Sequence, residues 1–370
     1  MYTPAISGDM ARLPTLLLLL GLAVAGGAPC AAQGTPPGTV IGDVFASGTN
    51  LSLDHAMVTL SPAGRQTFSD EHGTFGFSGL TGGTYRLRVA RLGFSPREFT
   101  VEVPAAGEGQ RLRITLDRVS IKLNAVKVVA YPPCKKPGRP NAKTDPDLAA
   151  VFDQLTLNAE QYRLLADSFP FAYKAERRVG GLRDDGLVVD ERTDTLTVRS
   201  DLIHWRYRPG DLVSREPYRD AAALYEYAMH LPTLPDFAEP SFYANHCFFY
   251  GGVETGALGE VVRIDFRAAD KLSKPDVHGT ILLDAQTMQI RLADLELSKI
   301  PSDLRDVVRV SATTRFSEVN RSIVIFSSVR GLTAYRYARN AAGTTGWLDE
   351  QRLIAFGWMG ADPSKAAQKP

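Results

Sequence analysis

The residues able to do chemistry are few, and their spacing suits little of it. The chain has six histidines. A zinc peptidase needs one of them with a glutamate three positions on, plus a distant third ligand, to hold the metal with an open position. The residues three after His55, His72, His204, His230, His246 and His278 are Val58, Phe75, Tyr207, Thr233, Phe249 and Ile281, so that ligand set is missing. There is no Gly-x-Ser-x-Gly elbow and no glycine-rich phosphate loop running into Lys-Ser/Thr. Asp70, Glu71 and His72 are consecutive, and consecutive side chains rarely converge on one ion. They read as a solvated turn, as do Asp184 and Asp185. His246 beside Cys247 has the residue types of a thiolate pair, yet neighbours on a strand point to opposite faces, which makes Cys247 structural. Trp205, Tyr207, Phe248, Phe249 and Tyr250 read as core and sheet packing. No catalytic residue, cofactor or metal is assigned. The acids that would carry a hydrolase reading are Asp265, Asp284 and Glu296.

The elements that must position these residues are mostly strands. Thr67–Val89 reads as strand, turn, strand, turn, strand. Asp70 and Gly73 form the first turn, Gly73 taking positive φ. Phe75 and Phe77 alternate with Gly76 and Ser78, placing both rings on one face. Gly83 completes the second turn, and Tyr85, Leu87 and Val89 alternate with exposed arginines. With Gly38–Ala46, Ala56–Leu60, Glu98–Val103 and Arg111–Leu116, about seven short strands without a helix predict a β-sandwich over residues 36–118.

Charge and cysteines bound the setting. The 370 residues suffice for two domains, and 42 basic against 41 acidic residues leave a net charge of +1, with no field to attract nucleic acid. Residues 1–32 read as a secretory signal: Arg12, a short leucine-rich core, then small residues before Gln33. No transmembrane span is expected once it is removed. Cys30 follows the apolar run and competes as a lipidation site, although Pro29 replaces the small residue usual there. If Cys30 leaves, Cys134 and Cys247 are the remaining thiols in an oxidising compartment, where two cysteines more often pair than stay free.

Gly42-Asp43-Val44, Ala56-Met57-Val58, Ser69-Asp70-Glu71-His72-Gly73-Thr74-Phe75, Gly83-Thr84-Tyr85 and Leu92-Gly93-Phe94 follow one order. This order resembles the carboxypeptidase regulatory-like domain, a transthyretin-like sandwich. The resemblance implies a secreted accessory module and no peptidase activity, because in carboxypeptidases this domain stands beside the catalytic one. Ser69 and Phe94 stand where relatives have threonine and tyrosine.

Residues 119–145 read as an extended strand, with Leu123, Val126 and Val128 along a sandwich edge, and then a Pro-rich linker containing Lys135, Lys136 and Arg139. Over residues 146–360 an α+β domain is expected: helices at Asp147–Leu155 and Asn158–Ala166, with Asn158 and Gln161 as a capping box, then an antiparallel curved sheet. Within it Asp184-Asp185-Gly186 and Asp284–Thr287 are hairpin turns, Asp201–Tyr207 a strand, Asp220–His230 a short helix and Leu231–Pro240 irregular. Gly279–Ile290 resembles a hairpin of the lipoprotein-carrier-like half-barrels. Residues 361–370 read as a disordered tail. The fold class is thus mainly β. The expected function is noncatalytic binding or scaffolding in the envelope, secreted, periplasmic or attached to the outer membrane. Its partner would be an envelope protein, a glycan or an apolar ligand, with a hydrolase as the alternative.

Overall fold

The computed structural model describes residues 38–105, 111–121, 133–202, 206–218, 221–320 and 323–360. The signal segment with Cys30, the edge strand expected at residues 123–128, Trp205 with His204, and the C-terminal tail lie outside them.

The first domain is a sandwich of seven strands: β1 (Gly38–Ala46), β2 (Met57–Ser61), β3 (Arg65–Phe68), β4 (Thr74–Leu80), β5 (Gly83–Ala90), β6 (Arg97–Val103) and β7 (Leu112–Leu116). They form sheets of order β4-β1-β7 and β3-β2-β5-β6. The alternation places Phe75 and Phe77 inside with Val40, Val58 and Leu87, while Tyr85 packs half-buried at the margin and donates its hydroxyl to the Thr81 carbonyl. The Asp70 carboxylate accepts the N–H groups of His72 and Thr74 at 2.9 and 2.8 Å. Gly73 turns there at φ +80°, with the Val44 carbonyl 2.6 Å from where a Cβ would stand.

Asp54, just before β2, gives this domain an acid-sensitive joint. Its hydrogen bond with His55 (3.1 Å) holds the carboxyl down to about 2; burial opposes this and Arg91 assists. A depressed carboxylate stabilises the fold above its unfolded pKa of about 3.9, and that stability is lost as pH falls through the folded value. With the Asp54 side chain 34% exposed, solvent screening reduces the contribution to about 1 kcal/mol. Thermal unfolding of Asp54→Asn should therefore show a shallower loss of stability between about pH 5 and pH 2 than the parent. Parallel curves would remove Asp54 from this role.

The second domain opens with a single helix, α1 (Pro146–Ser168), where the sequence spacing predicts two. Asp145 caps it by accepting the Leu148 N–H, and Pro170 follows its end. Asn158 is in mid-helix and caps nothing, because its environment is tertiary. Its amide donates to the Met288 carbonyl and accepts the Ile290 N–H, bonding to the backbone on either side of Gln289. One turn earlier, the buried Gln154 donates to the Phe94 carbonyl and accepts the Gly93 N–H.

Those bonds reach both domains because α1 is packed on two sides. Val151, Phe152, Leu155 and Ala159 face the second domain's sheet, while Leu157 and Leu164 meet Met57, Ala90 and Leu92 of the sandwich. Arg88 and Glu160 pair across that seam at 3.0 Å. Gln154→Leu keeps the volume but strands the Gly93 donor and the Phe94 acceptor. The expected loss is on the order of 2–3 kcal/mol, read by chemical denaturation together with faster amide exchange at Gly93. Unchanged exchange would mean that the seam does not depend on Gln154.

The remaining strands are β8 (Phe171–Arg183), β9 (Val188–Arg199), β10 (Val213–Tyr218), β11 (Ala221–Met229), β12 (His246–Gly256), β13 (Gly259–Ala268), β14 (Val277–Asp284), β15 (Ile290–Leu297), β16 (Val307–Asn320), β17 (Ile323–Tyr335) and β18 (Thr344–Trp358). Nine of them form one antiparallel sheet of order β12-β13-β14-β15-β16-β17-β18-β8-β9. Several elements differ from expectation. The segment expected to be a short helix near Asp220–His230 is strand β11, because β10 supplies its hydrogen-bond partners. Asp201 and Leu202 form a turn and Tyr207 lies outside any strand. Leu231–Pro240 contains a 3-10 turn at Leu234–Ala238, anchored by Asp236. β17 is continuous where alternation predicts two strands, Ile323–Val329 and Thr333–Tyr337, and no strand is expected from the sequence where β18 lies.

Candidate functional site

The sheet register builds the site. One row of directly paired residues crosses all nine strands: Phe248, Phe266, Gly279, Leu295, Ala312, Gly331, Asp349, Val179 and Arg192. The next row runs Tyr250, Ile264, Ile281, Ala293, Thr314, Val329, Gln351, Arg177 and Asp194. Residues in one row share a face of the pleat, so a single face is apolar from β12 to β15 and polar from β18 to β9. The apolar half lies in the core under α1. The polar half floors a cleft of about 750 Å³, closed on another side by Ala228, Met229 and Leu231 at the end of the β10–β11 hairpin.

In the cleft Arg177 grips Asp349, its Nε within 3.1 and 3.2 Å of the two carboxylate oxygens and its Nη2 2.7 Å from Oδ2. Such a bidentate pair fixes both side chains. Gly331, between Ala312 and Asp349 in the row, keeps the floor low. Trp347 and Val310 flank it, on the two strands paired through Thr333.

The acids singled out by sequence lie elsewhere. Asp265 is held by Arg263 and Thr280, and Glu296 by Arg309 at 2.7 Å. Both alternate with the core row and so belong to the opposite face of the sheet. Asp284 ends β14; burial disfavours its charge, but the N–H groups of Thr287 and Gln286 and the Arg291 guanidinium outweigh this and hold its carboxyl below the usual range. None of the three lines the cleft.

A His/Asp/Tyr grouping that spacing hid does exist. The Tyr207 hydroxyl donates to Asp276 at 2.7 Å, and His246 Nε2 lies 3.3 Å from the same carboxylate. Burial, with the charge of Asp276, pushes the Tyr207 phenol up. Both His246 and Asp276 have fully buried side chains, and the His246 ring stacks on Phe242 at 4.1 Å. With no opening to solvent, the group knits β12 to β14 and offers a substrate no approach. Tyr207 and Phe248 belong to the core, and Phe249 and Tyr250 are half-buried on β12. Among the described residues no cluster of His, Cys, Asp or Glu could hold a metal ion, and no helix is long and apolar enough to cross a membrane.

Cys134 and Cys247 form a disulfide with Cα atoms 5.6 Å apart. The later linker is consequently ordered against the second domain: Asp270 accepts the Cys134 N–H, and Gly138 donates to the His246 carbonyl. Arg139 pairs with Asp153 at 2.6 Å.

The family model for the carboxypeptidase regulatory-like domain matches residues 39–117, the sandwich. No curated protein matches the chain significantly. A minor pilin of Streptococcus agalactiae is 17% identical over 26% of this chain and 49% of its own, with a TM-score of 0.21, so this chain spans about half of that pilin's length. A LolA superfamily protein of Nitrosomonas europaea is 9% identical over 58% of this chain and 96% of its own, with a TM-score of 0.30. A DUF1329 family protein of Desulfovibrio piger is 13% identical over 58% and 95%, with a TM-score of 0.28. The last two fall on the C-terminal region. Scores this low bear on neither the site nor its ligand.

Proposed function

We propose that this chain is a noncatalytic, secreted binding protein of the bacterial envelope. Its second domain holds a ligand in the cleft floored by β16, β17, β18, β8 and β9, and its sandwich braces α1 on the far side. The observation that carries the reading is the register row: one sheet face, packed under α1 over β12–β15, continues beyond the helix into a concavity of ligand size. The Cys134–Cys247 bridge suits an oxidising compartment, and the leader-like residues 1–32 supply the route. The hydrolase alternative draws no support from Asp265, Asp284 and Glu296, which are tied to arginines away from the cleft.

Native mass spectrometry of protein purified from its own periplasm tests the reading. A co-purifying small molecule is expected, and Met229→Arg, which places a long cation in the roof, should expel it. A ligand retained by that variant at full occupancy, or turnover of peptide substrates abolished by a chelator, would overturn the proposal.

A further inference from the structure

We infer that the cleft's ligand is a neutral saccharide; this rests on the cleft being the binding site. The floor carries polar groups without protein partners. Among the described residues, the Gln351 amide, the Thr333 hydroxyl, the Trp347 indole N–H and the charged ends of Arg192 and Asp194 make no hydrogen bond or ion pair within the chain, yet all line the cleft. An acyl chain laid along this floor would strip water from each of them and return nothing, a poor exchange for donors and acceptors. A polyol satisfies them, because every hydroxyl both donates and accepts.

Charge narrows the class further. Arg177 and Arg192 are matched by Asp194 and Asp349, so the floor carries no net charge. A free anion or cation gains little there. The planar ends of Gln351, Arg192 and Asp194 can each meet two neighbouring hydroxyls. The apolar groups stand where a sugar ring needs them. Trp347 presents a half-buried aromatic surface, in one row with Thr333 and Val310, fit for the C–H face of a pyranose, while its N–H serves the rim. Gly331, with only Asp349 backbone and Cβ atoms at 3.4 and 3.8 Å from a would-be Cβ, leaves room for a ring to sit low.

The experiment is isothermal titration calorimetry of the full secreted chain against cellobiose, maltose, chitobiose and a glycan array, with palmitate and dodecylphosphocholine as contrasts. The expected result is saturable binding of at least one saccharide, weakened at least tenfold by Trp347→Ala and by Gln351→Ala. Arg192→Ala, an exposed edge-strand change that leaves the core untouched, should weaken it about threefold and guards against variants that misfold. Palmitate or dodecylphosphocholine binding that Trp347→Ala abolishes, with no saccharide bound, would overturn the sugar and leave the cleft standing. Saccharide binding indifferent to all three variants would move the site out of the cleft and overturn both. No binding by any probe at millimolar concentration overturns both as well.

Discussion

Replacing both bridged cysteines by alanine should lower stability by about 4–5 kcal/mol, the loop-closure value for a ring of this size. The two residues are 113 apart in sequence, so the bridge removes freedom from almost a third of the unfolded chain. Cys134 is 1% exposed, and the replacement leaves a small void beside it. Alanine is chosen over serine because a buried hydroxyl would add its own penalty. The loss should be local in its first effect. Once the bridge is gone, the segment from Cys134 to Arg139 is held by the Asp270, His246 and Asp153 contacts and by Arg139 over the Phe152 ring. Proteolysis near Lys135 and Lys136 should therefore accelerate before global unfolding. Denaturant titrations of the parent, oxidised and reduced, and of the double variant measure the effect. Coincident midpoints for all three would mean that the bridge adds nothing.

Phe77→Ala should cost about 3–5 kcal/mol, the range for deleting a fully enclosed phenyl ring. Phe77 is 3% exposed, its ring 6.4 Å from that of Phe75 in an edge-on contact, and its neighbour across the pleat is Val40. A domain of this size has only about 5–15 kcal/mol in hand, so the sandwich would become marginal. The consequence should reach beyond it. The sandwich covers Leu157 and Leu164 on α1, and its Gly93–Phe94 backbone satisfies Gln154. Loosening the sandwich would thus expose apolar helix surface and orphan a buried amide. Calorimetry of Phe77→Ala should show the second domain's transition moving down with the first. A second transition unchanged in temperature would mean that the domains fold without reference to each other, and a loss below about 1 kcal/mol would contradict the enclosure of the ring.

The sandwich was legible because its information is local. Period-two alternation at Phe75, Phe77, Leu87 and Val89, with turn chemistry at Asp70 and Gly73, dictates strands and faces without help from distant residues. The hairpins at Asp184–Gly186 and Asp284–Thr287 were legible for the same reason. The thiol count pointed to the bridge of Cys134 and Cys247.

What escaped is what depends on distant partners. Asn158 has the residue type of a cap, yet it serves a hairpin 130 positions away, so local propensity assigned two helices where there is one. The segment Ala221–Met229 is a strand because β10 lies beside it. β18 reads as nothing in particular until it is seen between β17 and β8, the first and last strands of the domain's order in sequence meeting side by side. The cleft is the fullest case. Asp194, Arg177, Gln351 and Val329 come from four strands spread over more than 150 residues, and only the sheet register sets them in one row. Sequence by itself determined alternation and turns, which are written in neighbouring residues. Tertiary structure alone decided the site, because a register between strands far apart in the chain is fixed by the shared core they bury.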